Sequence, residues 1–111
     1  MKVYYYPYVD SGPVGAYLDA LAEERPKAFA RLAVDLEILG EEGLRSGRIT
    51  VRPLGNSLWE LKRHYEGTHY RIFFSIAGGD VWLLHAIEKK KAKTPNRDLE
   101  LARKRQKGLN K

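Results

Sequence analysis

Two short turn signals, Glu66-Gly67 and Gly78-Gly79-Asp80, cut residues 58–87 into three apolar and aromatic segments, and no other feature constrains the fold as much. Glycine takes the positive φ angles that tight turns need, so these signals between β-branched and aromatic runs predict hairpins. The segments read as strands over Leu58–Tyr65, Tyr70–Ile76 and Val81–Ile87. In the first, Leu58, Glu60, Lys62 and His64 alternate with Trp59, Leu61, Arg63 and Tyr65, so the two sets face opposite sides. In the second, Tyr70, Ile72, Phe74 and Ile76 form an apolar face, with His69, Arg71, Phe73 and Ser75 behind it. The third is the most apolar and is expected at the centre of the sheet. Before them, Val51–Leu54 reads as a short extended piece interrupted by Pro53.

Helical periodicity governs the first half. Lys2–Tyr8 suits an opening strand, and Pro7 implies an edge position or the strand's end. Asp10-Ser11-Gly12-Pro13 supplies helix-start chemistry, with a side-chain oxygen to cap and a proline in the first turn. Tyr17, Leu18, Leu21 and Ala22 then recur at helical spacing to about Glu24. Pro26 opens a second helix whose apolar face is Phe29, Leu32, Ala33, Leu36 and Leu39, with Gly40 and Gly43 as stops. At the far end Thr94 caps a last helix and Pro95 takes its first position. That helix, to about Lys107, has only Leu99, Leu101 and Ala102 as apolar residues and reads as weakly amphipathic and detachable.

Helices followed by strands argue an α+β class: an N-terminal strand, a helical hairpin, antiparallel strands in a twisted sheet and a C-terminal helix. At 111 residues the chain is expected to form a single domain, 1–111. The helical hairpin covers one sheet face and leaves the other free for function.

Several function classes fall away. The chain has no cysteine, so disulfides, a thiol nucleophile and cysteine-ligated metal are excluded. Apolar runs such as Val81–Leu84 are too short to span a membrane, and Met1–Tyr6 lacks a signal-peptide core, so a cytoplasmic location is expected. A Gly-rich phosphate loop, His-Glu-x-x-His and Gly-x-Ser-x-Gly are all missing. His64, His69 and His85 fall on different strands without ligand spacing, and no metal or other cofactor is expected.

Charge is distributed unevenly. Residues 1–55 carry 7 basic and 8 acidic side chains, whereas residues 56–111 carry 13 basic and 6 acidic. A one-sided basic field favours phosphate-rich or acidic partners. Lys62 and Arg63 precede the Glu66-Gly67 turn and Arg71 follows it. Strands ~4.8 Å apart would let these cations converge on one phosphate. An ordinary cross-strand ion pair of Arg71 with Glu60 or Glu66 fits the spacing equally well.

The segments Leu58-Trp59-Glu60-Leu61-Lys62 and Gly67-Thr68-His69-Tyr70-Arg71-Ile72-Phe73-Phe74 resemble the RelE/ParE superfamily of toxins, and within it the phage-derived, HigB-like branch. The likeness continues through Val81-Trp82-Leu83-Leu84-His85-Ala86-Ile87-Glu88-Lys89-Lys90 and Lys93-Thr94-Pro95 to Leu99-Glu100-Leu101-Ala102-Arg103. Pro13-Val14 before a helix also fits. Three departures stand out: Lys62 replaces an arginine and so lacks its two-pronged donor, Ile87 replaces an aromatic, and no tyrosine follows Tyr70 to serve as a late catalytic residue.

The resemblance implies a type II toxin: an mRNA endoribonuclease acting with the ribosome and neutralised by a small helix-turn-helix antitoxin. Its chemistry is attack of the ribose 2′-hydroxyl on the adjacent phosphate, without a metal ion. That reaction needs a base, an acid for the leaving 5′-oxygen and cations for the charge on the phosphorane. Arg71 is the phosphate clamp, Lys62 a second clamp or the base, and Lys90 the acid or a further clamp. Glu60 and His69 are alternative bases. Arg63, His69, Lys89, Lys91, Lys93 and Arg97 are assigned to RNA binding, and Trp59 or Phe73 would stack on a base if exposed. The antitoxin is expected to cover the cationic sheet face or displace the terminal helix. Two other readings share the fold: a non-catalytic or gyrase-inhibiting ParE-type toxin, and a basic nucleic-acid-binding regulator.

Overall fold

The computed structural model describes residues 1–8, 11–91 and 93–109. Eight elements run in the order β1 (Val3–Tyr5), α1 (Pro13–Glu24), α2 (Pro26–Glu42), β2 (Thr50–Gly55), β3 (Leu58–Tyr65), β4 (Thr68–Ala77), β5 (Asp80–Lys89) and α3 (Asn96–Gly108). The α+β class and its element order are as the sequence predicts. The strands form one sheet in the order β1-β5-β4-β3-β2. β2 to β5 are an antiparallel meander, and β1 adds to β5 in parallel. β4 occupies the centre and β5 lies between it and β1. The Val51–Leu54 piece is thus part of a full edge strand, with a register shift between Pro53 and Gly55.

The turns form where the glycines predict. Glu66 and Gly67 take φ of 47° and 78°, and Gly78 and Gly79 take 61° and 80°. At the other end, Gly12 rather than a polar side chain occupies the cap position of α1, and no side-chain cap bond forms there. Its φ is 153°, and a Cβ would lie 1.9 Å from the Tyr6 carbonyl oxygen, so glycine is required for the chain to pass. Asp10, the other expected cap, lies outside the described residues.

The helical hairpin packs on one sheet face. Val14, Leu18 and Leu21 of α1 and Ala28, Leu32, Leu36 and Leu39 of α2 join Leu61, Tyr70, Ile72, Phe74, Val81 and Leu83 in the main core. Trp59 packs half-buried against this cluster, on the side away from Lys62.

The opposite face is not free, contrary to the sequence-based expectation. Leu58, Phe73, Leu84 and Ile87 form a second core with Ala102 of α3, flanked by Tyr6, Leu54, Leu99 and Leu109. Phe73 is fully buried here and is not presented for stacking on a base. The helix begins one residue later than expected: Pro95 is its cap position, and the Thr94 hydroxyl instead donates to Glu60 at 2.9 Å.

Polar bonds hold α3 where apolar residues are few. Arg103 donates to the Leu54 and Gly55 carbonyls at 2.6 and 3.3 Å, and Arg105 donates to the Leu84 carbonyl at 2.8 Å. Gln106 donates to the Asn56 carbonyl at 2.7 Å. His85 Nε2 lies 2.8 Å from the Asp98 carboxylate. The Leu84 carbonyl is available because β5 bulges there: Phe73 pairs with His85 and Phe74 with Leu83, leaving Leu84 as the extra residue.

Candidate functional site: a cationic corner of the sheet

Only part of the face beneath α3 carries apolar residues. Towards the β3–β4 turn, alternation brings Lys62 and His64 of β3 and His69 and Arg71 of β4 to this side. Lys62 pairs with Arg71 and His64 with His69 across the ladder. The next strands extend the two rows: Thr50 of β2 is opposite Lys62, and Lys89 of β5 is opposite His69. Thr50, Lys62, His64, His69 and Arg71 line a cavity of about 220 Å³.

Glu60 organises the floor. It is wholly buried, and its Oε1 accepts from Arg71 Nη1 at 2.8 Å and lies 3.1 Å from Arg52 Nη2. Its Oε2 accepts from Thr94. Of the alternatives the spacing left open, the Arg71–Glu60 ion pair forms. Arg71 is 2% exposed, and its Nε has no partner among the described residues. Two guanidiniums share one carboxylate, so the floor keeps a net positive charge that the low-dielectric surroundings strengthen.

The imidazoles register that field. The His64 and His69 rings stack with centroids 4.3 Å apart and planes 7° from parallel. Partial desolvation, then the charges of His64, Arg71 and Lys62, push the His69 pKa below its ordinary value. His69 is therefore held neutral near neutral pH, with a ring nitrogen able to accept a proton. Glu60 is less suited to that task, because donors already occupy both its oxygens.

Arg63 also borders this cavity, but two of the predicted residues turn their charged ends to the other side of the sheet. Arg63 points to the helical-hairpin side and binds the buried Asp35 through Nε at 2.8 Å and through Nη2. It therefore cannot converge with Lys62. Lys90 also lies on that side, where its ammonium donates to the Thr68 hydroxyl at 2.8 Å. The sheet separates it from Lys62, Arg71 and Glu60. Lys89, Lys90, Lys91 and Lys93 line a shallow depression of about 270 Å³ beside Pro95, and Arg97 is exposed on the first turn of α3. Arg52, Thr94 and His64 were not assigned to the site from sequence. The Thr50, Arg52, Leu54 alternation could have flagged Arg52, had Pro53 not made β2 look broken.

Among the described residues, no group of three or more histidines and carboxylates is placed to hold a metal ion. No helix among them is long and apolar enough to cross a membrane.

The family model of phage-derived protein Gp49-like (DUF891) matches residues 16–107. The chain belongs to that family. Gp49-like proteins are associated with RelE-type, toxin-like proteins, which agrees with the superfamily likeness of the strand motifs. The match spans most of α1, all of α2, the meander and nearly all of α3, so it includes every residue of the cationic corner. No curated protein matches the chain.

Proposed function

We propose that this Gp49-like protein is a toxin of the HigB-like branch that cleaves mRNA by 2′-hydroxyl attack, working on ribosome-bound message and neutralised by a protein antitoxin. The reading rests on one observation above all. The His69 imidazole, its pKa lowered by its surroundings, stacks on His64 in a cavity that Lys62 and Arg71 also line, with Arg71 tied to the buried Glu60. In this reading His69 takes the proton from the 2′-hydroxyl as the oxygen attacks phosphorus. His64 supplies a proton to the leaving 5′-oxygen, and a 2′,3′-cyclic phosphate results. Lys62 binds the phosphate directly, and Arg71 contributes its charge from the floor as the phosphorane gains a negative charge. These side chains can carry the reaction without a metal ion. Lys89, Lys91, Lys93 and Arg97 hold the flanking RNA backbone.

The test is cleavage of a short oligoribonucleotide and of message on translating ribosomes, in buffer containing a chelator. Product ends would be read by mass spectrometry. A 2′,3′-cyclic phosphate is expected, and a 2′-deoxy substitution at the cleaved position should block the reaction. Intact RNA under both conditions would end this reading. Inhibition of gyrase supercoiling would then favour the ParE-type alternative.

A further inference from the structure

A second cavity, about 450 Å³, opens on the helical-hairpin side between the α1–α2 junction and the β3–β4 turn. It is of the size that holds small ligands or buried side chains, about 300–1,000 Å³. Pro26, Ala28, Tyr65 and Tyr70 form its apolar wall, and Arg25, Lys27 and Lys90 bring three cations to it against one acid, Glu66. The sheet separates it from the His64–His69 pair.

The cations differ in what already occupies them. Arg25 is bound to the Tyr70 hydroxyl at 3.0 Å and to Glu88 at 2.7 Å. Glu88 also accepts from Tyr17, whose pKa is raised by burial and by that bond, so the phenol stays protonated as donor. Lys90 has only the neutral Thr68 hydroxyl, and Lys27 forms no ion pair among the described residues. Two ammonium groups are thus available beside an apolar wall.

We propose that this cavity docks a partner protein through an apolar side chain flanked by a carboxylate. The apolar group would fill the space against Tyr65, Tyr70 and Ala28, and the carboxylate would bridge Lys27 and Lys90. The charge pattern favours a single carboxylate over a nucleic acid strand. Glu23 and Glu24 end α1 directly before Arg25, Glu66 lines the cavity itself, and Glu88 is paired with Arg25. A polyphosphate running across this site would meet Glu66 and the acidic end of α1, whereas one carboxylate can be held by the two lysines alone. The proposal does not depend on the ribonuclease reading.

The experiment titrates the isotope-labelled full chain with the tripeptide N-acetyl-leucyl-glutamyl-leucinamide, and separately with hexauridylate, following backbone amide shifts. Saturable shifts at Lys27, Ala28, Thr68 and Tyr70 are expected with the peptide. Affinity should fall about tenfold in Lys27→Glu and in Lys90→Gln, and when glutamine replaces the peptide's glutamate, because each change removes a charge-assisted hydrogen bond. Lys27→Glu keeps the fold, since an acidic residue suits the first turn of a helix. Absence of saturable shifts, or shifts that persist unchanged in both variants, overturns the proposal. Shifts at Lys27 and Ala28 with hexauridylate also overturn it and make the site a nucleic-acid contact.

Discussion

His64 and His69 face each other across the β3–β4 ladder with their rings stacked 4.3 Å apart, directly beside the Lys62–Arg71 pair. Two imidazoles this close cannot both be charged without mutual repulsion, and the neighbouring cations add to it. A doubly charged pair is therefore disfavoured, and the lowered pKa of His69 leaves that ring as the acceptor in the proposed acid–base chemistry.

The pH profile of RNA cleavage should reflect this. A base must be neutral to act, and the His69 pKa lies below its ordinary value, so kcat/KM should rise with pH through a midpoint below 6.5. Lys62→Ala removes one of the charges that depress it and should move the midpoint upwards. His69→Gln should lower the rate by about 10²–10⁴-fold while the fold is kept. Proton NMR titration of the His69 ring gives the same midpoint independently of activity. A midpoint above 6.5 in the unaltered protein would remove His69 as the base.

Arg71→Ala should destabilise the protein as well as weaken its activity. It strips a buried carboxylate of its closest cation, leaving Glu60 with Arg52 and Thr94. Breaking a buried pair from one side costs about 3–5 kcal/mol, and the half-exposed Arg52 makes the lower end the expected value. Urea denaturation measures the loss. An unchanged midpoint would mean that the pair contributes nothing to stability.

RNA affinity should depend steeply on salt. On a single strand, each phosphate that the protein neutralises adds about 0.7 to the steepness of log K against log salt. Replacing Lys89, Lys91 and Lys93 together by glutamate should therefore flatten the slope by about 2. Fluorescence anisotropy across a salt series checks this, and an unaltered slope would place the RNA on another surface.

α3 should come loose through its arginines rather than its leucines. Arg105→Leu leaves the bulged Leu84 carbonyl without its donor, at a cost of about 1–3 kcal/mol. The exposed neighbour Lys104→Leu should stay within about 0.5 kcal/mol. Hydrogen exchange of the α3 amides would show faster opening in the first variant only.

The sequence was most readable where structure depends on neighbours in the chain. Glu66-Gly67 and Gly78-Gly79 dictate their turns locally, and strict alternation then sorts β3 and β4 into faces. On β5 that alternation breaks, so the side on which Lys90 falls could not be read from it. Counted from Leu84, Lys90 would lie beneath α3. The Leu84 bulge shifts the parity, so His85, Ile87 and Lys89 take that side and Lys90 takes the other. The Arg71 partner was also ambiguous, since Glu60 and Glu66 both lie within reach in sequence and only the built sheet selects Glu60. The docking of α3 was least visible. Its donors reach carbonyls 21 to 50 residues away, and no periodicity marks a hydrogen bond of that span.

The parallel pairing of β1 with β5 has a consequence for timing. Lys2 and Asp80 meet across 78 residues, so the first strand has nowhere to go until the fifth has been made. Closing so long a loop comes late and slowly, because its entropy is lost before the sheet repays it. Thr94 joins Glu60 later still. A ribosome synthesising this chain therefore carries at most the helical hairpin and a partial meander through most of elongation. The charged corner stays without the Thr94 bond that holds Glu60 Oε2 until well after its own strands have been made.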